Sequence, residues 1–184
     1  MQNYNSKFKK AGFTLVETLV AVSILSISIA ATFTAVQNGI QNSTVAKDQT
    51  TAFYLAQEAI EYIKNLRDQN ALNSINGGAN KWLTGLSDVG TDPCYFGKVC
   101  RIDSPAQTTV YCGAAFDACP VLNQDSSTGL FGYTAGWTPT IFKREIQFRQ
   151  IVADREVEVT IRMSWTSRWG GKSFQVTETL FNRQ

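Results

Sequence analysis

The chain has 184 residues with 43% hydrophobic and 17% charged side chains, a formal net charge of +2, and no histidine. The lack of histidine excludes Ser-His-Asp and Cys-His catalysis and the commonest metal ligand. Three basic residues precede position 13, so the rest of the chain has 14 basic and 15 acidic side chains, which argues against nucleic acid as a partner. Phosphate-loop, dinucleotide and nucleophile-elbow motifs are also missing. We therefore expect no enzyme, no cofactor and no metal site.

The N-terminal segment joins a basic stretch to a long apolar run. The basic residues are Lys7, Lys9 and Lys10. From Phe13 to Val36 the run has 24 residues, enough to cross a hydrocarbon layer of roughly 30 Å, with Glu17 as its one charge. A cleaved secretory signal has a shorter apolar region and an Ala-x-Ala-like site, whereas the nearest match here, Ser28-Ile29-Ala30, lies deep inside the run. We predict a retained single-pass helix with residues 1–10 in the cytoplasm and the C-terminal domain outside.

Glu17 is unusual because a carboxylate inside a membrane-spanning segment costs up to ~2.5–3.5 kcal/mol at mid-membrane, and less near a helix end. It could simply reach the interface, favoured by the N-terminal end of the helix dipole. Alternatively, cleavage after Gly12 would make Phe13 the new N-terminus, four residues before Glu17. The new ammonium group and the carboxylate could then pair, within one chain or between neighbouring subunits, and set their register. We favour the second interpretation because Gly12, Phe13 and Glu17 occur together.

The junction of the two stretches reads Gly12-Phe13-Thr14-Leu15-Val16-Glu17. It resembles the cleavage and methylation motif of type IV prepilins and of the pseudopilins of type II secretion, and the resemblance covers residues 7–45 closely. Further on, Tyr54–Glu61 and then Asn65–Asp68 resemble the helix continuation of minor pilins and minor pseudopilins of the V and I type. The resemblance implies an α+β pilin-like fold, cleavage after Gly12 by a membrane-embedded prepilin peptidase, and N-methylation of Phe13. It also implies assembly with other pilin or pseudopilin subunits, through an assembly platform in the inner membrane.

Beyond the apolar run, the sequence predicts that the helix continues in amphipathic form. We divide the chain into a leader (1–12), a transmembrane half-helix (13–38), an amphipathic half-helix (39–70), a loop-rich region (71–138) and an antiparallel sheet (139–184). Gly39 could mark a bend between the two half-helices. Apolar residues spaced three and four apart form the predicted core stripe of the second half: Ala52, Leu55, Ala56, Ala59, Ile63 and Leu66. Asparagines and glycines then end the helix: Asn70, Asn73, Asn76, Gly77 and Gly78.

The loop-rich region contains all four cysteines, at Cys94, Cys100, Cys112 and Cys119. Outside the cytoplasm, four cysteines in such a region favour two disulfides, for which three connectivities exist. We favour Cys94–Cys100 and Cys112–Cys119 because both close small local loops. A four-cysteine zinc site is the alternative, although its usual two-to-four-residue spacing is missing. Trp82, Leu83 and Leu86 are expected to hold the start of this region to the core.

Three alternating segments near the C-terminus predict an antiparallel meander with one face on the helix and one face in solvent. In the first strand, Phe142, Ile146 and Phe148 share a face. The second strand has the clearest alternation, with the apolar set Val157, Val159, Ile161, Met163 and Trp165. Gly170-Gly171 predicts the turn into the third strand, which runs from Lys172 to Phe181.

We therefore expect a structural subunit of a type IV pilus or type II secretion pseudopilus that is a minor component of the filament. Two alternatives stay open. One is a tip subunit for DNA uptake or adhesion, whose contact surface would be Lys143, Arg144 and Arg149 or the cysteine loops. The other is a signal-anchored extracellular domain that never assembles.

Overall fold

A computed structural model of the chain describes residues 12–167 and 170–182. In these residues the helix α1 spans Leu15–Ile75. Eight strands follow: β1 (Val99–Asp103), β2 (Thr108–Gly113), β3 (Asn123–Gln124), β4 (Phe131–Gly132), β5 (Thr138–Pro139), β6 (Phe142–Val152), β7 (Glu156–Ser167) and β8 (Gly170–Phe181). Contacts divide the chain into two compact units, Met1–Ala46 and Lys47–Gln184. The predicted α+β class is confirmed, and the predicted leader lies outside the described residues except for Gly12.

In the first unit, α1 begins at Leu15 and runs without interruption through Gly39. Hydroxyl groups in its apolar part donate hydrogen bonds to carbonyl oxygens four residues earlier in the same helix. The bonds of Ser23, Ser26, Ser28, Thr32 and Thr34 measure 2.8–3.0 Å. They leave few polar groups in need of an external partner. By length and composition alone, the helix is able to cross a membrane.

In the second unit, the later part of α1 supplies one side of the hydrophobic core. The predicted stripe is confirmed, since Ala52, Ala56, Ala59 and Ile63 are fully buried and Leu66 packs against the core. The helix ends at Ile75, not at the predicted residue 70. The termination follows from Gly77, which adopts a left-handed conformation (φ 82°) that disfavours other residues.

Asn70 therefore has a different role from the predicted helix stop. Its side chain is buried and donates to the carbonyl of Thr84 at 2.9 Å, while it accepts a bond from the Asn80 side chain at 3.0 Å. These bonds fasten the segment after the helix to its last turns. The three predicted apolar contacts of that segment, Trp82, Leu83 and Leu86, are buried as expected.

The main sheet has five antiparallel strands in the order β2-β1-β6-β7-β8. The predicted meander is the β6-β7-β8 part, in which Ile161 lies opposite Ile146 on one side and Val176 on the other. All five apolar residues of the alternating face of β7 are buried, as predicted. The interpretation of residues 71–138 as loop with little regular structure was wrong, because β1 and β2 extend the sheet and a second small sheet, β4-β3-β5, also forms there.

The outer face of the main sheet is only partly in solvent, which corrects the prediction of one fully wet face. The segment between β2 and β3 crosses this face near Glu145, which is fully buried. The Glu145 carboxylate accepts backbone N–H bonds from Asp117 at 2.9 Å and Cys119 at 3.1 Å. A buried carboxylate with two such donors replaces its lost hydration with hydrogen bonds from the loop that covers it.

Candidate processing and assembly segment

The residues expected to direct processing lie at the start of α1. Gly12, Phe13 and Thr14 precede the first helical residue, Leu15. The Thr14 hydroxyl oxygen accepts a hydrogen bond from the backbone N–H of Glu17 at 3.3 Å, which makes Thr14 the N-cap. The pattern Thr-x-x-Glu is that of a capping box. Gly12 and Phe13 are exposed, and space is open around Gly12, since a Cβ atom there would meet nothing within 4 Å.

Glu17 is the acidic residue of the first helical turn. The unpaired N–H groups at a helix N-terminus carry partial positive charge, so a carboxylate at this position is favourable. The bond from its own N–H to Thr14 also places Glu17 within the capped turn. Its pairing with an amino group at Phe13 requires prior cleavage and stays a prediction.

The apolar part of the segment offers a large surface that the chain itself does not cover. Every residue from Phe13 to Ile40 is exposed, including twelve large apolar side chains that follow Phe13. They are Leu15, Val16, Leu19, Val20, Val22, Ile24, Leu25, Ile27, Ile29, Phe33, Val36 and Ile40. Contiguous apolar surface of this extent is rare in monomeric soluble proteins and indicates lipid or protein partners.

The cysteines form two disulfides, Cys94–Cys100 and Cys112–Cys119, with sequence separations of 6 and 7. These are the two local pairs that the spacing favours. Because all four sulfur atoms are engaged, they cannot also provide the four thiolates of the alternative zinc site. The first disulfide belongs to the hydrophobic core, while the second closes the loop whose backbone donates to Glu145.

The three basic residues suggested as a DNA contact surface do not form one. Arg144 is fully buried. Arg149 is paired with Glu158 at 2.9 Å, and the hydrogen bond from this carboxylate raises the pKa of Arg149 above its usual value. Lys143 donates to the backbone carbonyl of Asp117 at 3.2 Å. The prediction of a joint contact surface was therefore wrong, because alternation along β6 turns Arg144 to the opposite face from its neighbours.

Arg144 connects the helix and the sheet inside the core. Its two terminal nitrogens donate at 2.8 Å to the carbonyl oxygens of Leu55 in α1 and Ile102 in β1. The Glu58 carboxylate, which is partly exposed, lies 3.5 Å from the same guanidinium group. The buried position of Arg144 could have been predicted from the sequence, because Arg144 falls on the same alternating face of β6 as its buried apolar residues.

A second polar contact joins β1 to the segment after β4. Asp103 is buried and accepts the backbone N–H of Tyr133 at 2.9 Å and that of Ala106 at 3.2 Å. Burial raises the pKa of Tyr133 to about 12, with Arg144 and Arg101 acting in the opposite direction. The Tyr133 hydroxyl donates to the Arg144 carbonyl at 3.4 Å, so the phenol remains neutral where it packs.

Comparison with known protein families identifies a motif in the N-terminal segment. The family model for the prokaryotic N-terminal methylation motif matches residues 7–33. This match supports the type IV pilin and pseudopilin family. The motif implies processing by a prepilin peptidase and assembly with other pilins, and it fits a single-pass membrane-anchored protein. The pilin motif occurs in structural proteins. No curated protein and no solved structure is significantly similar to the chain.

Proposed function

We propose that this protein is a minor structural subunit of a type IV pilus or a type II secretion pseudopilus, and that it is not a catalyst. The observation that carries the proposal is the coincidence of the methylation motif at residues 7–33 with an apolar half-helix, 13–38, whose side chains the chain leaves exposed. The motif alone would indicate only that the chain is recognised for processing. The uncovered helix adds a surface through which the processed protein can associate.

In this proposal, prepilin peptidase cuts the bond between Gly12 and Phe13 on the cytoplasmic side of the membrane, and the new amino group of Phe13 is methylated. Support comes from the open surroundings of Gly12 and from the exposure of both residues ahead of α1. The basic leader is removed, and the apolar half-helix then carries its charged groups at one end. Phe13 would supply the ammonium group and Glu17 the carboxylate.

Assembly then uses the half-helix 13–38 against the helices of other subunits, with the domain formed by Lys47–Gln184 outside the cytoplasmic membrane. Helix association in an apolar environment depends on close packing, which small side chains permit. Such residues recur through the segment: Ala21, Ser23, Ser26, Ser28, Ala30 and Ala31. The minor role is supported by the resemblance of Tyr54–Glu61 to V-type and I-type subunits.

Processing is tested by producing the full chain in cells with and without an active prepilin peptidase, followed by mass spectrometry of the membrane-extracted protein. We expect N-methyl-Phe13 as the first residue in the presence of the peptidase alone. Gly12→Leu should block the cut because a bulky side chain hinders approach to the bond. Gly39→Leu is the matched control, since its surroundings are equally open and it lies far from the bond. An uncut leader beside an active peptidase would contradict the proposal.

Assembly is tested separately by crosslinking the processed protein in cells that contain the complete filament machinery. Crosslinks to other pilin or pseudopilin subunits are expected. Complete processing without such crosslinks would favour the alternative of a signal-anchored domain that does not assemble.

A further inference from the structure

We propose that Thr14 is a positioning residue for processing: as the N-cap of α1, it keeps the Gly12–Phe13 bond outside the helix, where a peptidase can bind it. This inference rests on the proposed cleavage between Gly12 and Phe13. It concerns the conformation of the substrate, which the identity of the residues at the cut does not by itself determine.

In the structure, the helix begins two residues after Phe13, the residue that follows the bond. Leu15 is the first helical residue, and the hydroxyl oxygen of Thr14 accepts the N–H of Glu17 at 3.3 Å. The carbonyl of Thr14 accepts the N–H of Thr18 at 3.1 Å, which is the first bond of the helical ladder. An N-cap residue contributes its carbonyl to the ladder while its own backbone stays non-helical. The peptide bond between Gly12 and Phe13 therefore lies before the first turn.

Loss of the Thr14 hydroxyl would remove this boundary. Alanine is a poor N-cap and a strong helix former, so Thr14→Ala favours a helix that starts earlier. The next acceptable N-cap upstream is Gly12, because glycine ranks close to threonine at this position. A helix capped by Gly12 would begin at Phe13 and draw the scissile bond into its first turn. There the backbone is coiled at 1.5 Å per residue and cannot extend along a peptidase cleft.

The inference is tested with the full chain in lipid vesicles and purified prepilin peptidase, by measuring initial rates of leader removal at equal amounts of inserted substrate. We expect Thr14→Ala to be cut up to about fivefold more slowly than the wild type, the factor that corresponds to typical N-cap loss. Thr14→Ser and Thr14→Asn keep a capping oxygen and should restore the rate. Thr18→Ala is the matched control, since the Thr18 hydroxyl donates to the Leu15 carbonyl at 2.9 Å and caps nothing.

A second measurement follows the backbone itself. In the uncleaved chain, the NMR chemical shifts of Phe13 should move towards helical values in Thr14→Ala and remain at wild-type values in Thr14→Ser. Equal rates for Thr14→Ala and Thr14→Ser would overturn the inference. So would slower cutting of Thr14→Ala with unchanged Phe13 shifts, because the peptidase would then recognise the side chain directly. A wild-type chain that is never cut would instead refute the proposed cleavage, and the inference with it.

Discussion

Truncation of Arg144 should strongly destabilise the domain formed by Lys47–Gln184. The guanidinium group is fully buried and holds two backbone carbonyls that belong to different elements, Leu55 in α1 and Ile102 in β1. In Arg144→Ala both bonds are lost, a cavity forms in the core, and α1 loses its polar connection to the sheet at this point.

The magnitude follows from these contacts. A hydrogen bond to a charged group contributes about 1.5–3 kcal/mol, so two such bonds give roughly 3–6 kcal/mol. The cavity adds to this loss, whereas relief from burying the guanidinium group reduces it. We expect the free energy of unfolding to fall by about 3–5 kcal/mol. The Glu58 carboxylate is 36% exposed and 3.5 Å away, so Glu58→Gln should cost less than about 1 kcal/mol.

The assay is denaturant unfolding of the full chain in detergent, followed by fluorescence of the tryptophans, of which Trp82 and Trp165 are buried in the domain. Lys143→Ala is the matched control, because it removes the neighbouring cation from the other face of β6 and should change stability by about 0.5 kcal/mol or less. Arg144→Lys should be intermediate, since one ammonium group cannot reproduce the planar fork that reaches both carbonyls.

A loss of less than about 1 kcal/mol for Arg144→Ala, similar to that of Lys143→Ala, would refute the reasoning. It would mean that the bonds of Arg144 contribute little to holding α1 on the sheet. A loss for Glu58→Gln as large as that for Arg144→Ala would also contradict it, because the ion pair would then outweigh the two bonds to carbonyl oxygens.

Three further predictions follow from other parts of the chain. Glu17→Val should insert into membranes and be cleaved normally, but it should crosslink poorly to other subunits because the new amino terminus loses its counter-charge. Crosslinking at the wild-type level would mean that Glu17 does not set the register between subunits. Folding raises the pKa of Tyr133 from 10.0 to about 12, so the free energy of unfolding should fall by up to about 3 kcal/mol as pH increases from 10 to 12. In Tyr133→Phe, unfolding measured against pH should not show this decrease. In timed reduction and alkylation, Cys112–Cys119 should open before the core disulfide because Cys112 is only half-buried, and simultaneous opening would contradict this order.

The elements with regular periodicity could be predicted from the sequence. The stripe on α1 and the alternating face of β7 depend on local spacing, which each segment displays by itself. The strand β1 was missed because it has five residues, Val99–Asp103, with no clear alternation of buried and exposed positions. Its place in the sheet depends on pairing with β6, more than 40 residues later, and long-range pairing leaves no local signal.

For the buried charged residues, too, local spacing could be read from the sequence but long-range partners could not. Spacing places Arg144 on the inner face of β6, but its charge favoured the surface, and its partners at Leu55 and Ile102 are 89 and 42 residues away in sequence. Glu145 likewise meets donors 28 and 26 residues away. The N-terminal segment was predictable for the opposite reason, because Gly12, Phe13 and Glu17 lie within six consecutive residues.

The internal bonding of the hydroxyls in α1 has an energetic consequence for the proposed move of this helix from the membrane into a filament. Ser23, Ser26 and Ser28 each bond to a carbonyl of their own helix at 2.8–2.9 Å. Moving the segment from lipid into a bundle of helices would therefore require none of these hydroxyls to break its bond or find a new partner. The free-energy difference between the two environments then depends mainly on how closely neighbouring surfaces fit, since both are apolar. A difference of that origin would be small and reversible, so under the proposed function the same helix could enter a filament and return to the bilayer.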